Sequence, residues 1–82
     1  MIEEFFISLL KGGIVVELYV NGKLKNLPTE TKTILDVVRH FDLEHKHVII
    51  EHNESIIQKD DYPLTTLSDR DAIEIVHFVG GG

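Results

Sequence analysis

Five histidines and two pairs of closely spaced aspartates are the first candidates for reactive chemistry in this chain. His45 and His47, with His40 and His52 nearby in sequence, invite a metal reading. A metal site needs three or four ligands converging at fixed geometry, and His45 and His47 sit in a polar connection where nothing forces convergence, so they read as solvated loop residues. Asp60-Asp61 and Asp69-x-Asp71 could serve acid-base work or hold Mg²⁺. Both pairs fall in turns, where aspartate is favoured because its carboxylate accepts from nearby backbone N–H groups. No serine stands in a recognisable setting with a histidine and an acid, and Gly12-Gly13 lacks the lysine and spacing of a phosphate cradle. With no cysteine in the chain, disulfides, thiolate metal ligands and cysteine nucleophiles are all excluded.

The remaining candidate is Gly80-Gly81-Gly82. Glycine has no Cβ and samples positive φ freely, so these residues predict a flexible tail. The α-carboxyl expected on Gly82 has no side chain beside it and is ionised at neutral pH, with a pKa of about 3.5. Immediately before it, Ile73 to Val79 is a strand-forming run interrupted only by Glu74 and His77. A strand thus leads without a linker into an unhindered carboxylate, and His77 beside the tail is a candidate contact for a partner that grips it.

These features must be positioned by a small body. A chain of 82 residues forms one domain and buries about 60% of its unfolded surface. Its 43% hydrophobic and 27% charged content is that of an ordinary globular domain, and its net charge of −6 opposes nonspecific attraction to phosphate backbones. No nucleic-acid partner is expected; a basic protein surface suits it better. The absence of an apolar run near 18 residues excludes a membrane-spanning helix, and the acidic start MIEE is unlike a signal peptide, so a cytoplasmic protein without a membrane partner is expected.

In Met1 to Gly13, Ile2, Phe5, Phe6, Leu9 and Leu10 make one stripe of a short amphipathic helix. Residues 1–13 are therefore expected to be an extension that docks on a neighbour. From Ile14 the period becomes two, with Val16, Leu18 and Val20 on one face and Val15, Glu17 and Tyr19 on the other. Asn21-Gly22 is a type I′ hairpin signal, and Lys23 to Leu27 returns as a second strand stopped by Pro28. Thr33 caps a helix in which Ile34, Leu35, Val38 and Phe41 face inward, with Asp36 near its positive end. The helix should stop near Phe41 or Asp42, with Leu43 packing behind it. Val48 to His52 reads as a central strand and Ser55 to Gln58 as a short one. Lys59 to Pro63 reads as a polar loop, and Leu64 and Leu67 should pack at the edge of the core. In the final strand Ile73 and Ile75 should face inward, leaving Val76 and Phe78 nearer the surface.

This order predicts an α+β fold, a mixed sheet with one main helix across it, whose first and last strands lie parallel through a right-handed crossover. That arrangement is the β-grasp. Residues 14–79 would form it, followed by the 80–82 tail.

ELYVNGK at Glu17 to Lys23, TILDVV at Thr33 to Val38 and, most specifically, DAIEIVHFVGGG at Asp71 to Gly82 resemble the ThiS family, sulfur carriers of thiamine biosynthesis with the ubiquitin-like β-grasp fold. The resemblance covers Val16 to Gly82; residues 1–13 depart from it and could mediate self-association. It implies that a ThiF-type, ubiquitin-activating-like adenylyltransferase uses ATP and Mg²⁺ to adenylate the Gly82 carboxylate. A persulfide sulfur supplied through a cysteine desulfurase would convert it to a thiocarboxylate, and a ThiG-type thiazole synthase would accept the sulfur. Gly82 would carry the sulfur, Gly80 and Gly81 would thread narrow channels, and Val76, His77, Phe78 and Val79 would dock partners, with an acidic rim around the apolar pair Val76 and Phe78. The chain would be a cosubstrate rather than an enzyme, with no resident cofactor. Three alternatives stay open: a carrier like the small subunit of molybdopterin synthase, a ubiquitin-like modifier joined to lysine, and a β-grasp module that binds RNA or protein without acyl chemistry.

Overall fold

The structure, a computed structural model, describes residues 15–77. The expected amphipathic extension, the strand start at Ile14, Phe78 and Val79 of the docking group and the glycine tail lie outside the described residues.

Strands β1 (Val15–Val20) and β2 (Lys23–Pro28) form the expected hairpin. Its turn residues Asn21 and Gly22 both have positive φ, 51° and 83°, as a type I′ turn demands. Helix α1 (Ile34–His40) starts at Thr33, whose hydroxyl accepts from the Asp36 N–H at 3.3 Å while the Asp36 carboxylate accepts from the Thr33 N–H at 3.0 Å. This reciprocal capping box satisfies two backbone donors at the helix start. Strands β3 (Val48–His52), β4 (Ser55–Ile57) and β5 (Ala72–His77) complete one five-stranded sheet in the order β2-β1-β5-β3-β4. β1 and β5 run parallel at its centre, with Tyr19 beside Ala72 and Val20 beside Ile73; the other pairs are antiparallel. The expected β-grasp is the observed fold.

One face of the sheet packs on α1 through Leu18, Val20, Leu27, Ile50 and Ile73 against Ile34, Val37 and Val38. Each such aliphatic side chain contributes about 1.5–3 kcal/mol on burial. Three local expectations are corrected. Val37, not assigned to the inner face of α1, is completely buried, while Leu35 and Phe41 pack against the core as expected and are partly buried. Val37 stands three residues after Ile34 and four before Phe41, so the i, i+3, i+4, i+7 spacing itself puts it on the inward stripe with Val38. Lys59–Leu64 is a 3₁₀ helix rather than a plain loop, because Tyr62 buries its ring in the core. Leu64, expected at the core edge, is 75% exposed; the tight 3₁₀ turn that carries Tyr62 inward directs Leu64 out. Leu67 packs on the core as expected.

Candidate functional site: the open sheet face and the end of the last strand

Side chains alternate across a strand, so the face away from α1 receives Tyr19 from β1, Leu24 from β2, Ala72, Glu74 and Val76 from β5, Ile49 and Glu51 from β3, and Ile56 from β4. Register sorts them into rows. Leu24, Tyr19 and Ala72 stand side by side; Glu74, Glu51 and Ile56 form the next row; Val76 and Ile49 form the last, nearest the end of β5. No described element covers this face, and Val76 is 48% and Ile56 61% exposed, with Tyr19, Leu24 and Ile49 also open to solvent. An exposed apolar sheet face of this kind is a candidate interaction surface.

The structure separates two of the residues grouped from sequence. Val76 lies on the open face beside Ile49. His77, one residue on, falls on the opposite face with Ile73 and Ile75, and there lines a shallow depression of about 430 Å³ with Asp42, His45, Lys46 and His47. That depression gathers three histidines beside the end of β5, a juxtaposition invisible in sequence because residues 45–47 and 77 meet only through the β3–β5 pairing. Among the described residues no group of three or more His, Cys, Asp or Glu side chains could hold a metal ion.

Asn21 has a role that its turn signal did not reveal. Its side-chain Oδ1 accepts from the Ile75 N–H at 2.7 Å, its Nδ2 donates to the Ile75 carbonyl at 3.3 Å, and its own N–H donates to Ile73 O at 2.9 Å. The amide thereby continues the short β1–β5 ladder after β1 has ended. It fixes the strand next to Val76, making Asn21 a positioning residue for the end of β5.

The aspartates do structural work. The Asp71 carboxylate accepts from His52 Nε2 at 2.6 Å, from Asn53 Nδ2 at 3.1 Å and from the Ser68 N–H at 2.8 Å. Burial opposes its ionisation, yet these donors together hold its pKa below the ordinary carboxylate value. With Asn53 Oδ1 accepting from the Ala72 N–H, the cluster ties the β3–β4 turn to the start of β5. A His–Asp pair can orient a base, but this one lies at the opposite end of β5 from Val76, about 17 Å away for a six-residue strand. Asp69 accepts from the Glu17 N–H. Asp61 donates its N–H to Gln58 and accepts through its carbonyl from Thr65, as turn residues do. An open groove of about 690 Å³ between α1 and the β3–β4 edge has Leu35, Val38, Ile57 and Tyr62 in its walls, and Glu44, Lys46, Lys59 and Asp60, which also line it, are exposed.

A central strand leading toward glycines, with an open apolar face beside it, is the geometry implied by the sequence resemblance, and residues 14–82 match the model of the ThiS family. The chain belongs to the ThiS family. It is 51% identical over 65 residues to the sulfur carrier protein ThiS of Bacillus subtilis, covering 79% of this chain and 98% of that one. It is also 30% identical over 67 residues to a thiazole synthase of Paramagnetospirillum magneticum, covering 82% of this chain but only 20% of that protein. Among solved structures, the thiamine biosynthesis protein ThiS of Geobacter metallireducens superimposes with a TM-score of 0.68 at 26% identity, covering 82% of this chain and all of that one. No helix among the described residues is long and apolar enough to cross a membrane.

Proposed function

We propose that this ThiS-family chain is a sulfur carrier of thiamine biosynthesis, loaded at the carboxyl of Gly82, and a protein cosubstrate rather than an enzyme. The observation that carries the reading is that its family match runs through residue 82 and so includes the glycines that follow β5. The relation to one fifth of a thiazole synthase supports the identity of the acceptor: a carrier-like segment within the acceptor's own chain fits two proteins that work on one sulfur.

A carboxylate is a poor electrophile. An adenylating enzyme of the ThiF type, using ATP and Mg²⁺, would join the Gly82 carboxylate oxygen to the α-phosphorus and release pyrophosphate. The resulting mixed anhydride has AMP as a good leaving group. A persulfide sulfur drawn from a cysteine desulfurase then attacks the carbonyl and expels AMP, and a thiol reduces the remaining S–S bond, leaving the thiocarboxylate. A thiazole synthase of the ThiG type takes the sulfur. Gly80, Gly81 and Gly82 suit this path because a Cβ near the carbonyl would crowd both nucleotide and sulfur. The body of the domain contributes a rigid handle, with β5 held on both sides by β1 and β3.

Mass spectrometry of the intact protein from its native cell tests the reading. Replacement of one terminal oxygen by sulfur is expected. A chain that is never found with that mass, or that continues beyond Gly82 without being trimmed, would refute it. Adding one residue after Gly82 is expected to abolish ATP-pyrophosphate exchange by the activating enzyme while leaving the circular dichroism spectrum unchanged.

A further inference from the structure

Two acidic residues stand among the apolar side chains of the open sheet face. Glu51 on β3 is directly opposite Glu74 on β5, which places their Cβ atoms about 5 Å apart. Apolar side chains surround the pair: Ile49 and Val76 in the row toward the end of β5, Tyr19 and Ala72 in the row behind, and Ile56 beside Glu51. Like charges directly opposite on a sheet destabilise it, and a free domain gains nothing from such a pair. Among the described residues neither carboxylate has an ion-pair partner, whereas Glu17 on the same face is paired with Arg70 at 3.1 Å. The lysines of the adjacent edge strand, Lys23 and Lys25, share the alternation of the buried Leu27 and so fall on the other face.

We infer that the open sheet face docks the adenylating enzyme through one basic side chain of that enzyme, an arginine or lysine, seated between Glu51 and Glu74 while apolar groups cover Val76, Ile49 and Ile56. Charge complementarity selects the cation, and an arginine fork can engage two carboxylates at once. The direction of β5 places that enzyme over this face. The five residues from Phe78 to Gly82 span at most about 18 Å, so a protein that holds the terminal carboxyl in its active site meets the Val76–Ile49 row and the acid pair at the mouth of its channel. The choice of enzyme rests on the sulfur-carrier reading; the demand for a cation rests on the sheet register.

The test uses Glu51→Gln, Glu74→Gln and Glu74→Lys, each measured twice. In thermal unfolding of the free protein, both glutamine variants should melt at a higher temperature than the wild type, since repulsion has been removed; a lower melting temperature would mean the carboxylates are already compensated within the chain, and would overturn the inference. In ATP-pyrophosphate exchange by the activating enzyme, each glutamine variant should raise the KM for carrier about tenfold, the effect of losing one charge-assisted contact, with kcat kept. Glu74→Lys should raise it further, and added salt should raise the wild-type KM more than that of either glutamine variant. Glu30→Gln, outside the face, should match the wild type. If the wild type is turned over and the glutamine variants keep its KM, the cation seat is wrong and the carrier reading survives. If the wild type itself supports no exchange, the carrier reading fails and the assignment of the enzyme fails with it.

Discussion

At the scale of single residues, the two aspartates with displaced pKa values act on stability. Asp36 accepts from the Lys32 N–H, and this contact, partly opposed by burial and reinforced by Thr33 and by the Arg39 charge, lowers its pKa; Asp71 is lowered by its donors against burial. A carboxyl depressed in the folded state contributes stability that is complete above its ordinary value of 3.8 and is lost as pH falls through the depressed value. Acid titration of the folded fraction should show that loss, and Asp71→Asn should weaken it while costing about 1–3 kcal/mol at neutral pH, read by urea unfolding. Asn21→Gly keeps the positive φ of the turn but removes the amide that holds Ile75. Faster hydrogen exchange at the Ile75 N–H is expected, with the hairpin retained. The turn was legible in sequence from Asn-Gly alone, whereas the bond to Ile75 was not, because it joins residues 54 positions apart.

At the scale of elements, the period-two pattern of β1, the type I′ turn and the Thr33 cap were legible because each depends on neighbours within four residues. Thr33→Ala should lower stability by about 1 kcal/mol through loss of the cap. Gly22→Ala, at φ +83° with nothing within 4 Å of the added Cβ, should lower it by about 1 kcal/mol through backbone strain alone. Chemical denaturation measures both, and the absence of a steric clash at Gly22 makes that variant a clean test of conformation. The 3₁₀ helix and the exposure of Leu64 were not legible, since Tyr62-Pro63-Leu64 has no periodicity to show which side chain enters the core.

At the scale of the whole molecule, an open face beside the end of β5 should matter to partners and not to folding. Val76→Asp is expected to leave the circular dichroism spectrum intact while raising the carrier KM in ATP-pyrophosphate exchange by about tenfold or more, the effect of losing an apolar anchor at an interface. An unaltered KM would move docking off this face. The amino-acid order by itself determined the strands, helix α1, their sequence along the chain and the family, because local turn chemistry, capping and the DAIEIVHFVGGG run are all carried by consecutive residues. Only tertiary structure decided that Val76 and His77 face opposite ways beside different neighbours, that Asn21 secures β5, and that Glu51 meets Glu74 amid apolar side chains. Strand register sets those relations, and register pairs residues far apart in the chain.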